Sequence, residues 1–297
     1  MQTLAIPFNT GRVVILADMH LNTYLNWGLN PIDVYSIEDK LFDVDALILA
    51  GDLINGPAVN WAKAFAFLAR YVPPQKTYVF PGNHDYYGGC IADDPLLAQE
   101  AAKVGAHFAQ KTALLHRDTR FPCCTLWTDF DLLSDQPVAM SVAQQVMRDY
   151  SRIAERPPDE LPKDHSSAAW TPHPWIKPED VLEVHHDHRD WLTAALAQPH
   201  PLGNAARTVV VTHHGPDPRV AGAPDALTPA FHSDLSDLIA RHQPDAWFFG
   251  HSHRRLRAVV GTTDIRNVSI GYPNEQPDVS AAYLGDACAW ESRHGSE

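Results

Sequence analysis

The chain has 297 residues, 45% of them hydrophobic, enough to fill the core of one large globular unit. Its formal net charge of −13 and pI near 5.6 argue against an open basic groove for nucleic acid, whose binding rests on phosphate neutralisation by Lys and Arg. The opening MQTLAIPFNTGRVVIL has no basic leader and is broken by Pro7, Asn9 and Gly11, so neither a signal peptide nor a membrane span is expected; four cysteines without metal spacing fit a reducing, cytoplasmic setting.

In chain order, RVVILAD (12–18) is a short β-branched apolar run ending in a carboxylate, and DALILAGD (45–52) repeats the pattern with Gly-Asp. Continuous runs of this length predict strands covered on both faces. PAVNWAKAFAFLARYV (57–72) predicts a helix with Pro57 in its first turn and Trp61, Phe65 and Leu68 on one side. TYVFPGNHD (77–85) is a strand running into a polar turn, and CTLWTDF (124–130) reads as another strand. QPVAMSVAQQVMRDYSRIAE (136–155) predicts a helix, whereas 156–180 holds six prolines and predicts a long loop, because each proline removes a donor and fixes φ. A helix over 179–197, a strand in RTVVVTHHGP (207–216), a helix over 231–242 and a strand in DAWFFGHSH (245–253) complete the series. Strands and helices in rotation predict an α/β fold, taken as one domain over 1–297 with an inserted helix and Pro-rich region at about 131–200.

Polar groups recur at the carboxyl ends of five predicted strands: Asp18 and His20, Gly51 and Asp52, Gly82 to Asp85, His213 and His214, and His251 and His253. That is where open α/β sheets build their sites. In D-x-H and H-x-H the two side chains share one side of an extended backbone, so each pair can face one ion or two neighbouring ions. Carboxylate, imidazole and amide together suit Mn, Fe or Zn, and seven such groups over-supply a single ion. By the same alternation, only one of His213 and His214 can point into the site. His185, His186 and His188 in EVHHDHRDWL suggest a further metal cluster, but mixed charged and apolar residues favour a solvated helix face.

D-x-H, GD, GNHD, THH and GHSH in this order resemble the signature of the calcineurin-like metallophosphoesterase superfamily, from Asp18 to His253. The resemblance implies a four-layer αββα sandwich of two mixed β-sheets with a two-metal centre at the strand ends. Carried over, one ion takes Asp18, His20, Asp52 and His253, the other Asp52, Asn83, His213 and His251, with Asp52 bridging. His84 is implied as the general acid, with Asp85 beside it as a catalytic candidate that orders the turn. Protein phosphatases of the superfamily orient that histidine with the second Asp of GD-x-x-D-R; here GDLING puts Asn55 at that place, which disfavours a protein-phosphatase assignment. WTDF and RDYSRI also resemble stretches of some bacterial members.

The expected reaction is hydrolysis of a small phosphodiester or nucleotide-type substrate, two divalent ions sharing the attacking hydroxide. A nuclease, a phosphomonoesterase and a catalytically silent binding module are the alternatives. Arg152 is a candidate for a phosphate oxygen, Trp170 and Trp175 for stacking on a base, and His214 either contacts substrate or packs outward.

Overall fold

The computed structural model describes residues 1–155, 174–200, 203, 206–275 and 277–293. Its twelve strands are β1 (Gln2–Ala5), β2 (Arg12–Leu16), β3 (Ala46–Ala50), β4 (Thr77–Phe80), β5 (His107–Phe108), β6 (Thr112–His116), β7 (Thr119–Cys124), β8 (Arg207–Thr212), β9 (Ala246–Phe249), β10 (Arg257–Val260), β11 (Thr263–Asn267) and β12 (Ala289–Glu291). They form a seven-stranded sheet in the order β1-β6-β7-β8-β9-β11-β10 and a five-stranded sheet in the order β12-β2-β3-β4-β5. Both are mixed: β2 to β5 run parallel with β12 antiparallel, and β6–β7 and β10–β11 are the antiparallel pairs of the larger sheet. This is the expected two-sheet α/β sandwich.

The apolar runs explain the layering. β3 (ALILA) is buried at every position, as a strand covered on both faces must be. The main core joins the two sheets to the helix Pro57–Leu68, which turns Trp61, Phe65 and Leu68 inward. A second core lies beyond the larger sheet, where Leu192 and Leu196 of the helix Pro178–Ala197 and Leu238 and Ile239 of the helix Ser236–His242 pack on Val210, Trp247 and Phe249. The five strands singled out by sequence divide between the sheets: β2, β3 and β4 lie side by side in the smaller, β8 and β9 in the larger. An isolated bridge pairing Ala17 with Ser269 ties the end of β2 to the chain just after β11, so the carboxyl ends of both sets meet.

Two elements end earlier than expected. The helix beginning at Gln136 stops at Val146, where Met147 turns extended (ψ 139°), and a 3-10 turn over Arg148–Ser151 follows. The strand expected over 124–130 is instead Thr119–Cys124; beyond it Leu126, Trp127 and Phe130 take positive φ, which no strand accommodates. Residues 156–173 of the Pro-rich stretch, with Trp170, lie outside the described residues. No helix among the described residues is long and apolar enough to cross a membrane. All four cysteines are buried, and no disulfide joins them among the described residues.

Candidate metal centre

Five of the expected ligands share an unusual backbone: Asp18, His20, Asp52, His251 and His253 have φ of 55°, 39°, 57°, 62° and 51°. β2 and β9 end at Leu16 and Phe249, and in place of the extended chain expected of D-x-H and H-x-H the ligand-type residues lie in left-handed turns beyond them. Such conformations cost roughly 1–3 kcal/mol each and persist where the surroundings over-determine them. The surroundings do so. The Asp18 amide donates to the Gly51 carbonyl (3.0 Å), the His20 amide to the Asp52 carbonyl (3.0 Å), and the His251 amide to Asp18 Oδ2 (2.9 Å). Gly82 permits a close approach; a Cβ there would strike Asp52 Oδ1 and lie 2.6 Å from His213 ring atoms.

Three overlapping groups of donors result, each with its atoms within 4.8 Å of one another: Asp18, His20 and His253; His20, Asp52 and His84; and Asp52, His213 and His251. Asp52 belongs to two of them. Asn83 joins the last group, its Oδ1 lying 3.2 Å from His213 Nε2. The imidazoles are oriented from behind, as metal-ligating histidines usually are. His213 Nδ1 donates to the Ala50 carbonyl (2.9 Å) and His253 Nδ1 to Glu275 Oε2 (2.9 Å), leaving both Nε2 atoms to the centre.

These donors fit cations. His251 Nε2 is buried with no hydrogen-bond partner, and the Nε2 atoms of His20 and His253 face each other at 3.1 Å, a contact that needs a proton or a cation. Burial pushes the Asp52 carboxyl well above the usual range, and the charges of Asp18 and Asp85 add to it. Burial, then His84 and His253, push His20 well below its ordinary value. For His253 burial acts downward, but Asp18 and Glu275 outweigh it and hold the ring at about 9. A positive ion among these carboxylates and ring nitrogens relieves these conflicts.

His84 lines the cavity beside this cluster. Its amide donates to Asp52 Oδ1 (2.9 Å), its Nδ1 donates to Asn55 Oδ1 (2.9 Å), and its ring stacks on Tyr87 at 4.2 Å. The asparagine that replaces the expected aspartate thus still supplies an acceptor, without its charge. Burial, then His213 and His253, push His84 down to about 3, so the ring is neutral with Nε2 toward the cavity.

Asp85 does not line the cavity: its buried carboxylate accepts from the amides of Asp52 (2.7 Å) and Gly82 (3.0 Å) and from Trp61 Nε1 (3.1 Å), tying GD to GNHD. His214, one candidate for substrate contact, is buried behind His251 at a ring separation of 4.1 Å, with Nδ1 donating to the Thr125 carbonyl (3.3 Å). Arg152 and Trp175 do line the cavity, which encloses about 1100 Å³. His185 and His188 are not on a solvated face; both are buried, gripping the two sides of the Leu126 peptide, His185 Nδ1 on its carbonyl and the Leu126 amide on His188 Nδ1, each at 3.1 Å.

Two functional neighbours were missed. Asp149 accepts from Asn83 Nδ2 (2.8 Å) and the Tyr87 hydroxyl (2.6 Å), which turns Asn83 Oδ1 toward the centre. Glu275, also receiving the Tyr272 amide (2.8 Å), anchors His253.

Residues 11–255 match the sequence model of a family described as calcineurin-like phosphoesterase. An uncharacterized metallophosphoesterase of Helicobacter pylori is 28% identical over 88 residues, 29% of this chain and 22% of that protein. Among solved structures, phosphopantetheinyl hydrolase (PptH) of Mycobacterium tuberculosis is similar with a TM-score of 0.62 at 17% identity, over 90% of this chain and 91% of that one. Purple acid phosphatase PPD1 from yellow lupin (Lupinus luteus) seeds aligns with 99% of this chain and 47% of its own at 13% identity and a TM-score of 0.46. With the family match spanning most of its length, the chain belongs to the calcineurin-like phosphoesterases.

Proposed function

We propose that the protein is a metal-dependent phosphoesterase that hydrolyses a small phosphodiester or nucleotide-type substrate. One observation carries this reading: Asp52 is common to two groups of ligand-type side chains, its carboxylate oxygens lying 3.7 Å from His20 Nε2 and 3.5 Å from His213 Nε2. Asp18, His20, Asp52 and His253 would hold one divalent ion, and Asp52, Asn83, His213 and His251 a second; the mixed donor set suits Mn, Fe or Zn. Bound there, the ions supply Lewis-acid polarisation of the phosphoryl group and activation of water.

The chain's own residues do the rest. As the new phosphorus–oxygen bond to water forms, the ester bond breaks and the leaving oxygen takes a proton from His84 Nε2. Asn55 holds the opposite ring nitrogen, so Nε2 is the atom that exchanges the proton. The ring rests neutral, so it must first take up a second proton on Nε2; an arriving phosphate raises its affinity for that proton, opposing the burial that lowers it, and this is the proton the leaving oxygen takes. Arg152 meets a phosphate oxygen of the substrate on the cavity wall, while Tyr87, Trp175 and Phe231 supply an apolar wall for the leaving group. The enclosed volume and the net charge of −13 favour a small substrate over a nucleic-acid polymer. Buried cysteines with no disulfide among the described residues support a cytoplasmic setting.

The test is a panel of bis(p-nitrophenyl) phosphate, p-nitrophenyl phosphate and cyclic nucleotides with protein loaded with Mn, Fe or Zn. Turnover of diesters that stops on chelation is the expected result. Hydrolysis confined to the monoester overturns the diester reading, and no hydrolysis with any metal overturns the enzymatic one.

A further inference from the structure

The turn Arg148–Ser151, with Arg152 following it, is fixed to the candidate centre from beneath. Its buried Asp149 holds both Asn83 and Tyr87. Its backbone is closed onto the chain that follows GNHD: the Gly88 amide donates to the Arg152 carbonyl (2.8 Å), the Ala154 amide to the Gly89 carbonyl (2.8 Å), and the Ile91 amide to the Ala154 carbonyl (3.1 Å). On its outer side Arg148 and Arg152, four residues apart, are exposed and line the same cavity as His84. Arg148 lies near enough for its charge to act on both the His84 ring and the Tyr272 hydroxyl.

Other arginines of this acidic chain are spent on carboxylates: Arg207 on Asp118 (2.9 Å), Arg254 on Asp225 (3.3 Å), Arg257 and Arg266 on Asp264. Among the described residues neither Arg148 nor Arg152 forms an ion pair. Two guanidiniums on one anchored turn, unneutralised in a chain of net charge −13, make a local cationic rim. Planar guanidinium forks match phosphate oxygens in pairs. A single phosphoester held by the centre uses at most one of them.

Resting on the phosphoesterase reading above, we propose that Arg148 and Arg152 form a second anion subsite and that the preferred substrate carries a second phosphate beside the ester that is cleaved. The pair is then a specificity device: it selects bis-phosphorylated, nucleotide-type diesters from singly charged ones.

A matched pair of chromogenic esters tests this: thymidine 5′-(p-nitrophenyl phosphate) and the same compound bearing a 3′-phosphate, assayed with manganese-loaded protein. Wild type should cleave the 3′-phosphorylated ester with kcat/KM higher by roughly tenfold or more, chiefly through KM. In the double variant Arg148→Gln/Arg152→Gln that ratio should fall to near unity, and Arg148→Lys/Arg152→Lys should restore part of it. Both arginines are exposed, so folding is not at stake. Cleavage of the two esters with equal efficiency by wild type overturns the subsite and leaves the phosphoesterase reading standing. A preference that survives in the glutamine variant also overturns it. Cleavage of neither ester overturns the subsite together with the reading beneath it.

Discussion

Replacing Asp85 with alanine would leave a set of buried donors facing an empty space. The carboxylate accepts from the amides of Asp52 (2.7 Å), Gly82 (3.0 Å), Leu53 (3.3 Å) and Ile54 (3.4 Å), and from Trp61 Nε1 (3.1 Å). Hydrogen bonds to a charged group contribute roughly 1.5–3 kcal/mol each, so the three short ones amount to about 5–9 kcal/mol. Against this, burial pushes the carboxyl up to about 6 even with the Gly82 amide and Trp61 drawing it down. Those hydrogen bonds are already part of that balance; leaving the three nearest donors buried and unpaired costs at least about 1 kcal/mol each, so the expected loss for Asp85→Ala is about 3 kcal/mol or more. Urea denaturation of metal-free protein, followed by tryptophan fluorescence, reads it as a midpoint lowered by roughly 1–2 M. Asp85→Asn keeps one acceptor and should lose less. If the alanine variant instead unfolds within about 0.3 M of wild type while turnover falls ~100-fold, the carboxylate acts in the chemistry and the reasoning fails.

Three further outcomes follow from the same geometry. His84→Gln should retain its metal, measured by mass spectrometry of the ions, yet lose roughly 10²–10⁴-fold in turnover; an unchanged rate removes His84 from proton transfer. Glu275→Gln weakens the acceptor on His253 Nδ1 and should lower metal affinity about 10–100-fold in a chelator competition, with an unaltered affinity counting against its orienting role. The third concerns acid stability away from the centre. Burial would raise the Asp45 carboxyl, but the amides of Asn9, Thr10 and Gly11 and the His116 ring outweigh it and hold it at about 2. A folded value below the unfolded one means stability that is present above pH ~4 and lost as pH falls toward ~2, about 2 kcal/mol in all. Asp45→Asn should flatten that acid limb of a pH–melting profile, and a limb of unchanged steepness would assign it to other carboxylates.

The parts of this molecule that could be read from sequence are those where the physics is local. RVVIL, ALILA, TYVF and AWFF are apolar runs too short for helices, and each is buried at all or nearly all of its positions in a strand. What sequence hides is contact between distant segments. Asp149 stands 66 positions from the Asn83 it orients, within a stretch whose helical periodicity masked the turn that begins after Val146. Glu275 is 22 positions beyond His253; the available signal was chemical, since an imidazole given to a cation through Nε2 needs an acceptor for its Nδ1–H. The side-chain direction expected of D-x-H and H-x-H rested on extended chain, whereas these residues take left-handed conformations. Left-handed turns, unlike extended chain, end the strand at once and bend the next residues out of the sheet plane toward the neighbouring sheet. Hydrogen bonds between the segments, Asp18 to Gly51, His20 to Asp52 and His251 to Asp18, hold those turns and offset the backbone strain they carry, which is why the donors gather at one place.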